Sequence, residues 1–128
     1  MNSRKTILLV EDEAGMRFVM THLLKRHGYR VLEAVTGEQA LEIWSEHHSS
    51  IHLLITDLTL PHGLNGTDMA ARLRQESPDL KVIYISGHIR EVALRKFPLI
   101  ETECYLKKPF PTQQLEDLVK EKLKTSAR

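Results

Sequence analysis

Apolar and polar positions alternate along this chain in two rhythms. Five short apolar runs recur at wide intervals: Ile7 to Val10, Val31 to Leu32, Leu53 to Ile55, Val82 to Ile85 and Cys104 to Leu106. Short runs of this kind, bounded by polar residues, predict buried strands. Between them the spacing becomes helical. Met16, Val19, Met20, Leu23 and Leu24 follow i, i+3, i+4, i+7, i+8, and Leu115, Leu118, Val119 and Leu123 nearly repeat it. Each set predicts the apolar face of an amphipathic helix. Ala40, Leu41 and Trp44 predict a second helix after Thr36, whose hydroxyl can cap it, and Met69, Ala70 and Leu73 a third that stops at Ser77-Pro78. Gly28 and Gly37 punctuate the connections. From Ile89 to Lys96 there is room for a short fourth helix before Pro98 ends it.

Strand and helix in strict alternation predict an α/β fold, a parallel sheet with helices on both faces. Right-handed crossovers restrict the topology, and for five strands the commonest doubly wound order is 2-1-3-4-5. In that order the ligand crevice lies at the carboxyl ends of strands 1 and 3. No internal repeat, low-complexity tract or linker interrupts the pattern, so residues 1–128 read as one domain, with Lys124 to Arg128 a frayed end.

Composition narrows the function classes. The 128 residues suffice for one core without disulfide or metal staples. Lys and Arg number 18 against 17 Asp and Glu, a formal net charge of +1, so no global field recruits nucleic acid or a membrane surface. No helix-turn-helix, basic arm or aromatic platform is present either, and no direct nucleic-acid partner is expected. The single cysteine, Cys104, reads as a small core residue in a reducing compartment, which predicts a cytoplasmic protein. No stretch approaches the roughly 20 apolar residues of a membrane span, and no membrane contact by this domain is expected.

Candidate chemistry gathers at the predicted carboxyl edge. Strand 1 runs into Glu11-Asp12, strand 3 into Asp57, strand 4 into Ser86 and strand 5 into Lys107-Lys108-Pro109. Singly, each has a plain reading: Asp12 as a helix cap, Ser86-Gly87 as a turn, Lys108 as a solvated lysine before a helix. Together they mean more. Three converging carboxylates raise one another's pKa and repel unless a cation sits among them. So few hard oxygen ligands, with the rest left to water and phosphate, suit Mg2+ better than a calcium cage. His47, His48 and His52 have no cysteine partners and read as a solvated helix end rather than a zinc site. Lys108 and Ser86 supply donors for phosphoryl oxygens, which leaves Asp57 as the nucleophile for an acyl phosphate.

These residues resemble the receiver domain of two-component response regulators over essentially the whole chain. The motifs that carry the resemblance are "ILLVEDE", "LLITDLTLP", "VIYISG" and "YLKKPF", in order and each at a strand end. The resemblance implies a flavodoxin-like (βα)5 fold and a phosphorelay function. Asp57 would take a phosphoryl group from a phosphohistidine on a histidine kinase or histidine phosphotransfer domain. Asp12, Asp57 and the backbone carbonyl of Thr59 would bind Mg2+, with Glu11 acting through water. Lys108 would pair with Asp57 and then with the phosphoryl group, Ser86 would swing in to bond it, and Tyr105 would turn inward as the aromatic switch. Thr59 and His88 would tune the lifetime of the phosphorylated form. Such a domain is a signalling phosphoacceptor with self-phosphorylation and self-dephosphorylation chemistry rather than an enzyme. The family signals, and can form a homodimer, through the face of helix 4, strand 5 and helix 5. The phrase "LRQESPDLKVIYISGH" is similar to receivers at the C-terminal end of hybrid histidine kinases.

Two departures stand out: the loop "PHGLNG" from Pro61 to Gly66 carries one residue more than the common receiver pattern, and the segment after Ser86 is short. Three rivals compete. A haloacid dehalogenase-type phosphatase would want a second aspartate two residues after Asp57, where Thr59 stands. A flavodoxin-like cofactor binder would want a phosphate cradle where Glu11, Asp12 and Glu13 stand. An unphosphorylated docking module would not need the acids, hydroxyl and lysine together. For a docking partner the exposed start of helix 1, Ala14 to Arg17, and the Pro109-Phe110 turn flank the pocket, with Met16 and Phe110 as candidate apolar contacts.

Overall fold

Each apolar run becomes a strand in which successive side chains feed opposite faces of one sheet. The computed structural model describes residues 4–61, 63–87 and 104–124. Its elements are β1 (Thr6–Val10), α1 (Ala14–Arg26), β2 (Arg30–Ala34), α2 (Gly37–His47), a 3-10 turn (His48–Ser50), β3 (Ile51–Asp57), α3 (Gly66–Glu76), β4 (Lys81–Ser86), β5 (Cys104–Lys107) and α4 (Thr112–Lys124). The five strands pair in parallel in the order β2-β1-β3-β4-β5. The expected fold class and strand order are therefore the observed ones. The helix expected between Ile89 and Lys96 lies outside the described residues, as do His88, Pro98, the side chain of Cys104 and the last four residues.

Period-2 alternation divides the core in two. Leu8, Val10, Leu54, Val82 and Tyr84 face α2 and α3, where Trp44, Met69 and Leu73 meet them. Ile7, Leu9, Leu53, Ile55, Ile83 and Ile85 face the other way, against Met20, Leu23 and Leu24 of α1 and Leu115, Val119 and Leu123 of α4. Thr36 caps α2 by accepting from the Gln39 N–H, as its position suggests. Asn65 does the same for α3 through the Asp68 N–H, and that helix stops at Ser77 before Pro78. Trp44 Nε1 donates to Glu76 Oε1 at 2.9 Å and ties α2 to α3.

Two expectations change. Val19 was expected on the buried face of α1, but it is 50% exposed and Met16 is only half-buried. Val19 lies at the edge of the apolar stripe, whose centre at Met20, Leu23 and Leu24 is buried. His52 does not belong to a solvated helix end with His47 and His48. It sits inside β3, where the β1–β3 register jumps from Thr6 opposite Ile51 to Ile7 opposite Leu53. The jump leaves His52 unpaired in the ladder, and its Nδ1 accepts the Thr6 N–H at 3.0 Å. Burial and the Lys5 charge lower the His52 pKa, which favours the neutral ring that an accepting Nδ1 requires.

Candidate functional site

The parallel register delivers four strand ends to one edge. Glu11 follows β1, Asp57 closes β3 opposite Ile85, and Ser86 closes β4 opposite Lys107. Backbone bonds extend each strand past its last residue: Glu11 N–H to Ala34 O at 3.0 Å, Leu58 N–H to Ile85 O at 2.9 Å, and Lys108 N–H to Ser86 O at 2.9 Å. Side chains on these residues are thus set by the sheet and not by loop conformation. A cis Lys108–Pro109 peptide turns the chain away towards α4.

Glu11 and Asp57 are buried, at 1% and 5% exposure, whereas Asp12 is exposed above them. Carboxylate oxygens of Glu11, Asp12 and Asp57 lie within 4.8 Å of one another. Lys108 Nζ reaches between the buried pair, 3.1 Å from Asp57 Oδ1 and 3.2 Å from Glu11 Oε1. These are ion-pair distances without hydrogen-bond alignment, and both oxygens remain without a hydrogen-bond partner. One cation thus faces two buried anions. Burial pushes the Asp57 carboxyl up to about 8, reinforced by the neighbouring Glu11 carboxylate, with Lys108 pulling the other way. Burial would lower the Lys108 pKa, but Asp57 and Glu11 outweigh it and the net shift is upward. The ammonium stays charged, and ionised Asp57 is disfavoured beside Glu11 unless a further cation joins them.

Above this pair opens a cleft of about 280 Å³ lined by Asp12, Asp57, Thr59, Ser86, Gly87 and Lys108. Six of the expected site residues are thereby gathered: Asp12, Asp57, Thr59, Ser86 and Lys108 on the wall, and Glu11 beneath. Tyr105 is not at the cleft; it is 40% exposed on β5. Two of the plain readings of single residues fail on geometry. Asp12 does not cap α1, whose N-cap is Glu13 with no side-chain bond. Lys108 is held between two carboxylates and is not a solvated helix-start lysine.

Sequence reasoning missed three supports of this edge. Glu11 Oε2 accepts the Glu13 N–H at 3.0 Å, while Arg17 Nη1 donates to the Glu11 carbonyl at 2.9 Å and its Nε lies 3.3 Å from Glu33 Oε1. No periodicity marks Arg17, because its function lies in a backbone contact. Gly66 is the third. A Cβ there would overlap the Asp57 carbonyl oxygen, and the Gly66 N–H donates to Leu58 O at 2.8 Å. In the "PHGLNG" loop, Gly63 takes a positive φ of 92° and Leu64 packs on the α2–α3 core. Beside the cleft, an apolar groove of about 300 Å³ runs between α1 and the start of α4, lined among others by Met16, Val19, Met20, Pro109 and Phe110.

Comparison with known proteins agrees with this geometry. The family model described as "Response regulator receiver domain" matches residues 7–120. The sensor kinase CckA of Brucella abortus is 36% identical over 118 residues, which is 92% of this chain and 12% of that protein. The response regulator receiver protein CpdR of the same organism is also 36% identical over 118 residues, covering 91% of this chain and 92% of the relative. This chain thus spans a small part of one relative and nearly all of another. Among solved structures, the response regulator protein TrrA from Thermotoga maritima, in complex with Mg2+-BeF, superposes with a TM-score of 0.80 at 28% identity, covering 93% of this chain and 99% of that one. The dehalogenase and flavodoxin-like alternatives are not favoured. With four strand-end motifs converging on one acidic cleft and a family match over most of its length, the chain belongs to the response regulator receiver domains of two-component signalling.

Proposed function

We propose that Asp57 is the phosphoacceptor and that Asp12, Asp57 and the Thr59 backbone carbonyl, with Glu11 through water, would hold a Mg2+ ion during transfer. The observation that carries this reading is the charge deficit at the edge: two buried carboxylates share one ammonium, and an oxygen of each lacks a hydrogen-bond partner. A divalent cation is the group such a donor set fits, and the small hard-oxygen cluster suits Mg2+. When bound, the ion supplies positive charge that favours ionised Asp57 and offsets the charge on the phosphoryl oxygens.

The protein's own residues do the rest. The end of β3 fixes the Asp57 carboxylate at the floor of the cleft, where an oxygen attacks phosphorus in line as the P–N bond of a phosphohistidine breaks. The imidazole leaves with the bonding electron pair. Lys108, already charged and within ion-pair distance of Asp57, follows the transferring group and neutralises it. Ser86 lies across the cleft as a hydroxyl donor, and Thr59 at the rim is placed to tune the water path and so the lifetime of the acyl phosphate. His88, its proposed counterpart, lies outside the described residues. Tyr105, 40% exposed on β5, would serve as the aromatic switch.

The donor is a histidine kinase or histidine phosphotransfer domain. Its helix would seat in the apolar groove beside the cleft, on Met16, Val19 and Phe110, which brings a histidine within reach of Asp57. Val19 at half exposure strengthens the expectation that α1 is the contact surface. A homodimer through the β5 and α4 side is compatible with the exposed Tyr105. Among the described residues no helix is long and apolar enough to cross a membrane. Equal identity to a sensor kinase and to a receiver-length protein favours neither a hybrid-kinase nor a stand-alone context. The test is incubation with acetyl phosphate and Mg2+. Wild-type protein gains one acid-stable, base-labile phosphoryl group by mass, and Asp57→Ala gains none; equal labelling of the variant would overturn the assignment.

A further inference from the structure

The junction between β1 and α1 carries two of the three acids, yet no helix cap holds it. Glu13 occupies the N-cap position of α1 without a side-chain bond. What holds the junction instead comes from the second turn of the helix. Arg17 Nη1 donates to the carbonyl oxygen of Glu11 at 2.9 Å, and Arg17 Nε is 3.3 Å from Glu33 Oε1 on β2. The Glu11 carbonyl belongs to the peptide that joins Glu11 to Asp12. A bond there fixes the plane of that peptide, and with it the direction in which the exposed Asp12 carboxylate leaves the backbone.

We infer that Arg17, braced by Glu33, is a positioning residue for the Mg2+ site: it sets Asp12 for the cation by clamping the Glu11–Asp12 peptide. The inference rests on the Mg2+ site proposed above and adds to it a side chain that touches neither the ion nor phosphate. Three features carry it. The clamp reaches a backbone atom between two acids of the cluster, so its effect is directed at their geometry and not at packing. Glu33 neutralises the guanidinium, so a cation can be oriented by Arg17 without being repelled by it. The opposite end of the same turn is pinned as well, by the Glu11 N–H to Ala34 O and by Glu11 Oε2 accepting from the Glu13 N–H. Arg17 therefore narrows the freedom left at the Glu11–Asp12 peptide. A planar fork is needed to reach a carbonyl and a carboxylate at once, which a lysine does incompletely.

The experiment is Mg2+ titration by calorimetry on the full chain, with urea unfolding in EDTA alongside. Partners that orient metal ligands typically contribute 10- to 100-fold in affinity. Arg17→Ala should weaken the Mg2+ Kd about tenfold and shift the Asp12 amide resonance. Arg17→Lys should recover part of the loss. Glu33→Ala, which leaves the guanidinium without its brace, should weaken binding a few-fold, and the double variant should be little worse than Arg17→Ala alone. If Arg17→Ala lowers only the urea midpoint and leaves the Kd unchanged, Arg17 is structural and the inference fails. Tighter Mg2+ binding by that variant overturns it too, because charge repulsion would then outweigh positioning. Should Arg17→Ala not fold, an unchanged Kd in Glu33→Ala decides against the brace. Wild-type protein that binds Mg2+ but takes no phosphate from acetyl phosphate would sink the phosphoacceptor reading alone and leave this comparison intact.

Discussion

Replacing Asp57 by asparagine should stabilise the metal-free protein, and the gain should depend on pH in a direction that the site fixes. The Asp57 carboxyl moves from 3.8 to about 8 on folding. Between those values the folded state keeps a proton that the unfolded chain has released. Stability supplied by the neutral acid is therefore complete below pH 4 and drains away as pH rises towards 8. At pH 7 the interval is about 3 pKa units, a ceiling of about 4 kcal/mol at about 1.4 kcal/mol per unit. Water entry and relaxation around a buried charge reduce this, and about 2 kcal/mol is the expected gain for Asp57→Asn. With a urea m-value of about 1–3 kcal/mol per molar, the midpoint should rise by about 1 M at pH 7 and coincide with wild type near pH 4. The assay is urea unfolding of both proteins in EDTA from pH 4 to pH 8. Millimolar Mg2+ should then close the gap by stabilising wild type more than the variant, since a ligand raises stability only where it binds. A midpoint difference that does not change with pH, or a variant less stable than wild type at pH 7, would refute the charge-deficit account of the site.

Gly66→Ala places a methyl group on the Asp57 carbonyl, so it should cost more than 2 kcal/mol in unfolding and weaken Mg2+ binding; a variant with wild-type midpoint and affinity would show that the close approach is not required. Lys108→Ala removes the ammonium but none of the carboxylates, so Mg2+ affinity should hold or rise while uptake from acetyl phosphate slows; parallel loss of both would contradict the role given to the lysine. Val19→Asp adds a charge to an exposed position beside the groove, so it should leave the unfolding midpoint within about 0.5 kcal/mol and slow transfer from a phosphohistidine donor but not from acetyl phosphate; equal effects on the two donors would argue against docking on α1.

Much of this edge was legible because strand ends are a one-dimensional signal. An apolar run that stops at an acid, a serine or a lysine places that residue at the carboxyl edge once strand order is known, and the order follows from alternation and handedness. Glu11, Asp12, Asp57, Ser86 and Lys108 were found in this way. What escaped is whatever depends on the backbone of a distant segment. Arg17 acts through a carbonyl six residues back, Gly66 through the space beside the Asp57 peptide, and His52 through an amide on the neighbouring strand. None alters hydrophobic periodicity, because none is selected by burial.

The misplaced Val19 shows the limit from the other side. Helical spacing records which residues share a face, not how far the covering surface extends. On α1 the same apolar stripe is core at Leu23 and Leu24, half-buried at Met16 and exposed at Val19. Its exposed edge lines the apolar groove with Pro109 and Phe110, next in the chain to Lys108 of the acidic cleft. The position of that exposure is what makes it informative: scattered apolar residues need no explanation, but an apolar groove beside an acidic cleft would give the proposed phosphohistidine partner both its footing and its target.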